Sequence, residues 1–398
     1  MCNRCKRRPL LILLFFTHII LFSTYTFIQY QSNASYDDLK NNPLTIILAS
    51  DRLPANLIEK TDRSHLNKNY RNSKIQQKID LSPTKGKLES LNVSYVTDID
   101  QQETIVQCSI LPTNLVGRVE ADLFSYEMQE IEKHHENSSV QVGGHWSPSH
   151  CTSRYRVAII IPYRNRDMQL RIFLNFMHLF LQKQQIDYQI FLIEPVDDIT
   201  FNRALLFNIG FNEAMKHYAW ECFIFHDVDL IPEDDRNIYS CPPEPRHMSV
   251  AVNTLNYELP YRTIFGGVSA LTIEQFKSVN GFSNQYFGWG GEDDDMAARI
   301  LTKYRISRYP ASIARYKMLR HQPDTPNQSR YKILGLSIAM RSVDGLSNLQ
   351  YTMIETRKNK LFTLIRVTYN EALIKSAVAH IKKKNVKMIR HKTEQSAI

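Results

Sequence analysis

The sequence predicts an α/β domain with a mixed, mainly parallel central sheet, set behind one transmembrane helix and a polar stem. Three observations carry this. From Arg156 onward, short apolar runs alternate with segments of helical periodicity. The apolar runs end in charged loops, which is where ligands sit in open α/β sheets. Near the N-terminus, a long apolar stretch free of Asp, Glu, Lys and Arg follows a basic flank.

In chain order, residues 9–30 form that stretch, long enough to cross ~30 Å of hydrocarbon at ~1.5 Å per residue. Lys6, Arg7 and Arg8 precede it, so 1–8 reads as a cytosolic tail and everything after Tyr30 as luminal. A cleaved signal peptide is the alternative; the length and aromatic C-terminal end of the stretch speak for an anchor. Residues 31–104, rich in Asn, Ser, Lys and Asp, read as a stem. Asn-x-Ser sequons at Asn33, Asn92, Asn137 and Asn327 all follow the anchor. Cys2 and Cys5 fall in the cytosolic tail and are candidates for palmitoylation. Cys108, Cys151, Cys222 and Cys241 are an even set in an oxidising compartment, and sequence alone leaves three pairings open.

The globular part is expected at 105–369. The formal charge of +9 is concentrated at the two ends, in Lys6 to Arg8 and in a basic tail at 370–398, which reads as solvated, with membrane-surface or partner contact as the alternative. The middle is nearly balanced, which argues against nucleic-acid binding by the core. Within it, Arg156 to Pro162 reads as a buried strand ended by proline, followed by the polar loop Tyr163-Arg164-Asn165-Arg166. Leu170 to Leu181 is helical, Tyr188 to Ile193 the next strand, and Asn202 to Tyr218 a second amphipathic helix.

A third apolar run, Phe223 to Phe225, leads through His226 into Asp227-Val228-Asp229. Strand alternation sends the two aspartates to one side. Acids at the end of a buried strand are expensive unless paired or bound to a cation, so they are candidates for a divalent metal bridging a diphosphate. Further on stands Gly288-Trp289-Gly290-Gly291-Glu292-Asp293-Asp294-Asp295, before the amphipathic run Met296 to Leu301. Acids suit a helix N-terminus, so one or two of the four cap the helix. Successive helical residues point ~100° apart, which leaves at least one carboxylate free for a ligand. Glycines on both sides of Trp289 make the indole a candidate lid.

These motifs, with Phe201-Asn202-Arg203, Phe265 to Ala270 and Met318-Leu319-Arg320-His321, resemble in sequence and order the beta-1,4-galactosyltransferase family over roughly 108–367. The resemblance implies a GT-A nucleotide-sugar transferase domain, luminal in the Golgi as a single-pass type II protein, that uses Mn2+ to transfer a sugar from a UDP donor with inversion. Pro162, Tyr163, Arg164, Asn165, Arg166, Phe201, Asn202 and Arg203 would line the uridine and ribose pocket, with Val228 beside the nucleotide. Asp229, Met318 and His321 would hold the metal. Asp293 would be the general base, with Glu292, Asp294 and Gly291 at the sugars and Trp289 closing over the donor. Arg330 and Tyr331 would contact the acceptor, a GlcNAc-terminated glycan. The cysteines would pair as Cys108–Cys151 and Cys222–Cys241.

The pattern departs from the galactose-specific vertebrate members at Ile264, where they have an aromatic whose hydroxyl crowds a donor 2-acetamido group. Invertebrate relatives with a small aliphatic residue there resemble N-acetylgalactosaminyltransferases, so UDP-GalNAc is expected over UDP-Gal. A catalytically silent, glycan-binding Golgi relative is the reading of a different class; it predicts loss of Asp229, Asp293 or His321, and all are present. Whether an accessory Golgi protein takes part stays open.

Overall fold

The computed structural model describes residues 106–379, apart from 197 and 323. The expected anchor, stem and most of the basic tail therefore lie outside the described residues. Among the described residues, no helix is long and apolar enough to cross a membrane.

The chain opens with α1 (Met128–His134) and β1 (His145–Trp146), then β2 (Arg156–Pro162), α2 (Asp167–Lys183), β3 (Asp187–Pro195), α3 (Arg203–Ala214) and β4 (Cys222–His226). It continues through β5 (Leu230–Pro232), β6 (Arg246–His247), β7 (Ala251–Val252), β8 (Val268–Thr272), α4 (Ile273–Ser278), α5 (Glu292–Ile300) and β9 (Arg315–Met318). Last come α6 (Arg330–Leu334), α7 (Ser337–Met340), β10 (Thr352–Lys358), β11 (Thr363–Thr368) and α8 (Glu371–Ala377).

The main sheet runs β10-β11-β3-β2-β4-β8-β6, with β1 paired to β3. It is mixed as expected, but parallel pairing is confined to its centre, where β3 lies parallel to β11 and β2, and β2 to β4. The outer pairs are antiparallel. Crossover helices build that centre: α2 carries the chain from β2 to its parallel neighbour β3, and α3 carries it from β3 to β4 on the other side of β2. A small second sheet, β5-β9-β7, stands beside the first.

Alternation along β2 divides the core. Val157, Ile159 and Ile161 pack with Leu170, Phe173 and Met177 of α2. Ala158 and Ile160 face Leu206, Ile209 and other residues of α3 on the opposite side. Burial on both faces explains why β2 reads as an uninterrupted apolar run. Disulfides join Cys108 to Cys151 and Cys222 to Cys241. The start of the C-terminal tail is not a solvated extension: Ile374 and Val378 are buried, and Gln285 donates to the Ile374 carbonyl at 3.0 Å.

Candidate active site

A cleft of about 240 Å3 opens at the carboxyl ends of β2 and β4. Pro162 ends β2 at its rim. Arg164 follows, donating to the Ile199 carbonyl and lying 4.9 Å over the Phe201 ring. Arg166 crosses to the Gln322 carbonyl at 3.1 Å, with the Asp324 carboxylate 3.7 Å away. Both arginines line the cleft, as does Phe201. Tyr163 and Asn165 do not. The Tyr163 ring packs against the hydrophobic core, and Asn165, at φ 52°, turns the loop toward an adjoining groove. Nor does Asn202 line the cleft: it is fully buried, accepts from the Leu205 amide as the N-cap of α3 and donates to the Asn284 carbonyl.

The capped helix begins with Arg203, which carries the electrostatics of the cleft. Its guanidinium bonds Asp227 at 2.6 Å, Glu292 at 3.4 Å and the Gly267 carbonyl at 3.2 Å, while stacking on Phe207. Asp227 and Asp229 stand in the turn after β4 rather than on the strand, so strand alternation does not explain their meeting. The turn brings both into the cleft with Val228 between them. Burial pushes the Asp227 carboxyl up to about 6, against the opposing pull of Arg203.

The His321 Nδ1 lies 2.8 Å from an Asp229 carboxylate oxygen, and that hydrogen bond raises the imidazole above its ordinary value. Met318 closes β9, and its thioether accepts from the Thr254 hydroxyl at 3.5 Å. Met318 and His321 both line the cleft, but through a strand end and the loop after it, not through one helical turn. Among the described residues, no three His, Cys, Asp or Glu side chains gather into a metal cage.

The opposite wall is the N-terminus of α5. Gly288, Gly290 and Gly291 all take positive φ, a conformation that disfavours other residues. They turn the chain sharply so that Trp289 is 59% exposed while Glu292 is buried. The Trp289 backbone pairs with the neighbouring segment, its amide donating to the Thr325 carbonyl and its carbonyl accepting from the Asn327 amide. The four acids then diverge. Glu292 faces Arg203, yet its Oε2 is buried with no hydrogen-bond partner, and burial together with Asp293 pushes the carboxyl up to about 7. Asp294 accepts from the Tyr261 hydroxyl at 2.8 Å. Asp295 is fully buried, bonded to Arg299 and Tyr286. Asp293 lines the cleft with one oxygen on the Asp294 amide, and burial raises its pKa. Its carboxylate lies so close to Gly266 that a Cβ there would fall 2.5 Å from Oδ2.

Other sequence candidates sit nearby. Gly291 is the N-cap of α5, tight against the Tyr286 ring. The Arg330 guanidinium lies 5.8 Å from the Trp289 ring and 4.7 Å from the Tyr331 ring, the latter residue 73% exposed. Ile264 is half-buried, its carbonyl held by Arg308, and is not among the lining residues of the cleft. Tyr261 and Asp324 were not singled out from the sequence. Their partners are 33 and 158 residues away in the chain, so no local pattern signals them.

A parallel-centred sheet with an acidic turn at its carboxyl end, facing a second acidic wall across a cleft, is the arrangement expected of a GT-A glycosyltransferase domain. Comparison with known proteins agrees. The N-terminal region of glycosyl transferase group 7 matches residues 108–242, and the N-terminal domain of galactosyltransferase matches 246–322. Beta-1,4-galactosyltransferase 1 of Mus musculus is 42% identical over 288 residues, covering 71% of this chain and 71% of its own. Beta-1,4-galactosyltransferase 2 of Cricetulus griseus is 44% identical over 270 residues, 66% of this chain and 72% of its own. Among solved structures, the catalytic domain of Drosophila beta-1,4-galactosyltransferase 7 in complex with xylobiose aligns with a TM-score of 0.48 and 27% identity, covering 54% of this chain and 94% of that one. The chain belongs to the beta-1,4-galactosyltransferase family and is a UDP-sugar-dependent hexosyltransferase.

Proposed function

We propose that this chain is a beta-1,4-galactosyltransferase, moving galactose from UDP-Gal to the 4-hydroxyl of a terminal GlcNAc, with inversion. The observation that carries the reading is the divided acidic wall of α5: three of its four acids have a side-chain partner, and Asp293 faces the cleft without one. A carboxylate with a raised pKa at that place suits a general base. Asp293 takes the proton of the acceptor hydroxyl; the oxygen bonds the anomeric carbon; the bond from that carbon to the phosphate breaks, and UDP leaves with the electron pair. Glu292 lines the same wall, and its buried, unpartnered Oε2 would accept from a sugar hydroxyl once turned to the cleft. Arg164 and Arg166 offer planar donors to the nucleotide beside Phe201 and Val228. Trp289, on its glycine turn, shields the donor from water. Gly291, Asp294, Arg330 and Tyr331 border the acceptor side.

The residues present fit a divalent cation. Five carboxylates line the cleft (Asp227, Asp229, Glu292, Asp293 and Asp324) against three guanidiniums, before a diphosphate adds its own charge. Asp229 and His321 already share a proton that a cation can replace, and Met318 lies beside them. Asp229, His321 and Met318 would hold the ion. Mn2+, when bound, supplies positive charge for the departing phosphate. The thioether is a soft partner for that ion, and Asp229 and His321 are the stronger donors.

UDP-GalNAc is the second reading. Its support is Ile264 alone, and the relatives reported above are named for galactose. A Golgi-luminal, type II placement belongs to the same proposal, supported by the apolar stretch at 9–30 and by the two disulfides, which need an oxidising compartment. The test incubates the purified luminal part with Mn2+, a GlcNAc acceptor and either UDP-Gal or UDP-GalNAc, and reads product linkage by NMR. Beta-1,4-galactosylated product supports the proposal. Faster transfer of GalNAc moves the assignment to the second reading, and binding of glycan with no transfer from either donor leaves the silent relative.

A further inference from the structure

Behind the catalytic wall, and outside the cleft lining, the buried His247 of β6 and the half-buried Arg308 form a hydrogen-bonded pair. The imidazole Nε2 lies 3.0 Å from the Gly266 carbonyl, so that nitrogen carries the hydrogen. Its Nδ1 accepts from the Arg308 Nε at 3.1 Å. Burial, and then Arg308, hold the ring neutral, its pKa pushed down to about 3. The other end of the guanidinium bonds two carbonyls of the same loop, Arg262 at 2.9 Å and Ile264 at 2.7 Å. The Ser249 hydroxyl adds a second bond to the Gly266 carbonyl and accepts from the Val268 amide. The backbone of 262–268 is thus fixed from behind by three side chains.

On its front face that loop carries the catalytic wall. Gly266 touches the Asp293 carboxylate, and Tyr261 donates to Asp294. We propose that His247 and Arg308 are positioning residues for sugar transfer: they hold the 261–267 loop against α5 and so fix where the Asp293 carboxylate stands. The inference rests on the assignment of Asp293 above, and adds to it residues that touch neither sugar nor nucleotide. The neutral imidazole is needed because it must donate on one side and accept on the other; an imidazolium would turn a second N–H toward Arg308.

The test compares wild type with Arg308→Met, His247→Leu and His247→Gln. A glutamine amide also offers one donor and one acceptor, whereas leucine offers neither. Each protein is assayed for kcat, for KM of donor and acceptor, for UDP affinity in Mn2+ and for amide exchange in 261–268. Arg308→Met and His247→Leu are expected to lower kcat about 10–100-fold, the scale of a displaced catalytic group, with UDP affinity unchanged and loop exchange faster. His247→Gln is expected to keep most of the rate. Should Arg308→Met not fold, Arg308→Lys is read in its place, since a lysine cannot bond both carbonyls and the imidazole at once.

Folded variants that turn over like wild type would overturn the proposal. So would UDP affinity falling in step with kcat, or His247→Gln falling as far as His247→Leu. A wild type that transfers no sugar defeats the functional reading instead. In that case amide exchange decides positioning by itself, and unchanged exchange in Arg308→Met overturns it.

Discussion

The two walls of the cleft handle their carboxylates in opposite ways. On the turn after β4, Asp227 and Asp229 are each met by a cation or a proton donor, Arg203 and His321. On α5, Asp295 is locked to Arg299 in a fully buried cluster with Asp344, while two residues earlier Asp293 faces the cleft unpaired. In the proposed reading, the first wall exchanges its partners for a metal and a diphosphate, and the second, anchored at its base, keeps one carboxylate at its tip for a proton. A cleft with two metal-binding walls, or two anchored ones, would lack the base.

Removing the cation separates the walls most sharply. Chelation is expected to abolish transfer, with recovery on adding Mn2+, and Asp229→Asn is expected to do the same while leaving the melting temperature unchanged. Transfer at full rate in chelator would remove the metal from the account. The anchored wall should answer with stability instead. Arg299→Met leaves Asp295 and Asp344 buried without their cation, a loss of ~3–5 kcal/mol measurable by denaturant unfolding. A loss below ~1 kcal/mol, the scale of an exposed pair, would show that the cluster does not anchor the helix.

Smaller in effect is Ile264→Tyr. One crowded group is worth ~1–3 kcal/mol, so the ratio of kcat/KM for UDP-Gal over UDP-GalNAc should rise by about 10–200-fold. An unmoved ratio would detach position 264 from donor choice, which its place outside the cleft lining already makes a sharp question.

The mildest effect is acid sensitivity. His178 and His247 are buried and neutral, both pushed down to about 3 by burial. Below an unfolded value of about 6.5, the unfolded chain binds protons that the native state does not, so stability falls as pH drops toward the folded values. These histidines therefore withdraw stability between pH 7 and pH 5 while the raised Asp227 and Glu292 carboxyls add it, so the change in melting temperature from pH 7 to pH 5 should be more negative in wild type than in His178→Gln. A His178→Gln variant with the same pH dependence as wild type would contradict the assignment.

What the sequence made legible follows from how local each signal is. β2 was readable to both ends because burial on both faces makes an unbroken apolar run closed by Pro162. The glycine turn before α5 was readable because four acids exceed what a helix cap needs. The division of labour among those acids was not, since Arg203, Tyr261 and Arg299 reach them from three separate parts of the fold. Asn202 misled for a related reason: a motif residue beside the cleft arginine Arg203 serves as the cap of that arginine's helix. Nor did the amphipathic start of the tail after Val367 reveal that Ile374 and Val378 are buried, because what covers them is remote in the chain: Val378 packs with Tyr286 and Ile333, and Gln285 holds the Ile374 carbonyl.

The central claim is that Asp293 is the base, and Asp293→Asn tests it most directly. The amide keeps the size and hydrogen bonding of the side chain but cannot take a proton. Turnover is measured together with UDP affinity in Mn2+. Turnover should fall about 10²–10⁴-fold, the usual worth of a general base, with nucleotide affinity retained. A variant that loses nucleotide affinity while each bound complex turns over as before would contradict it.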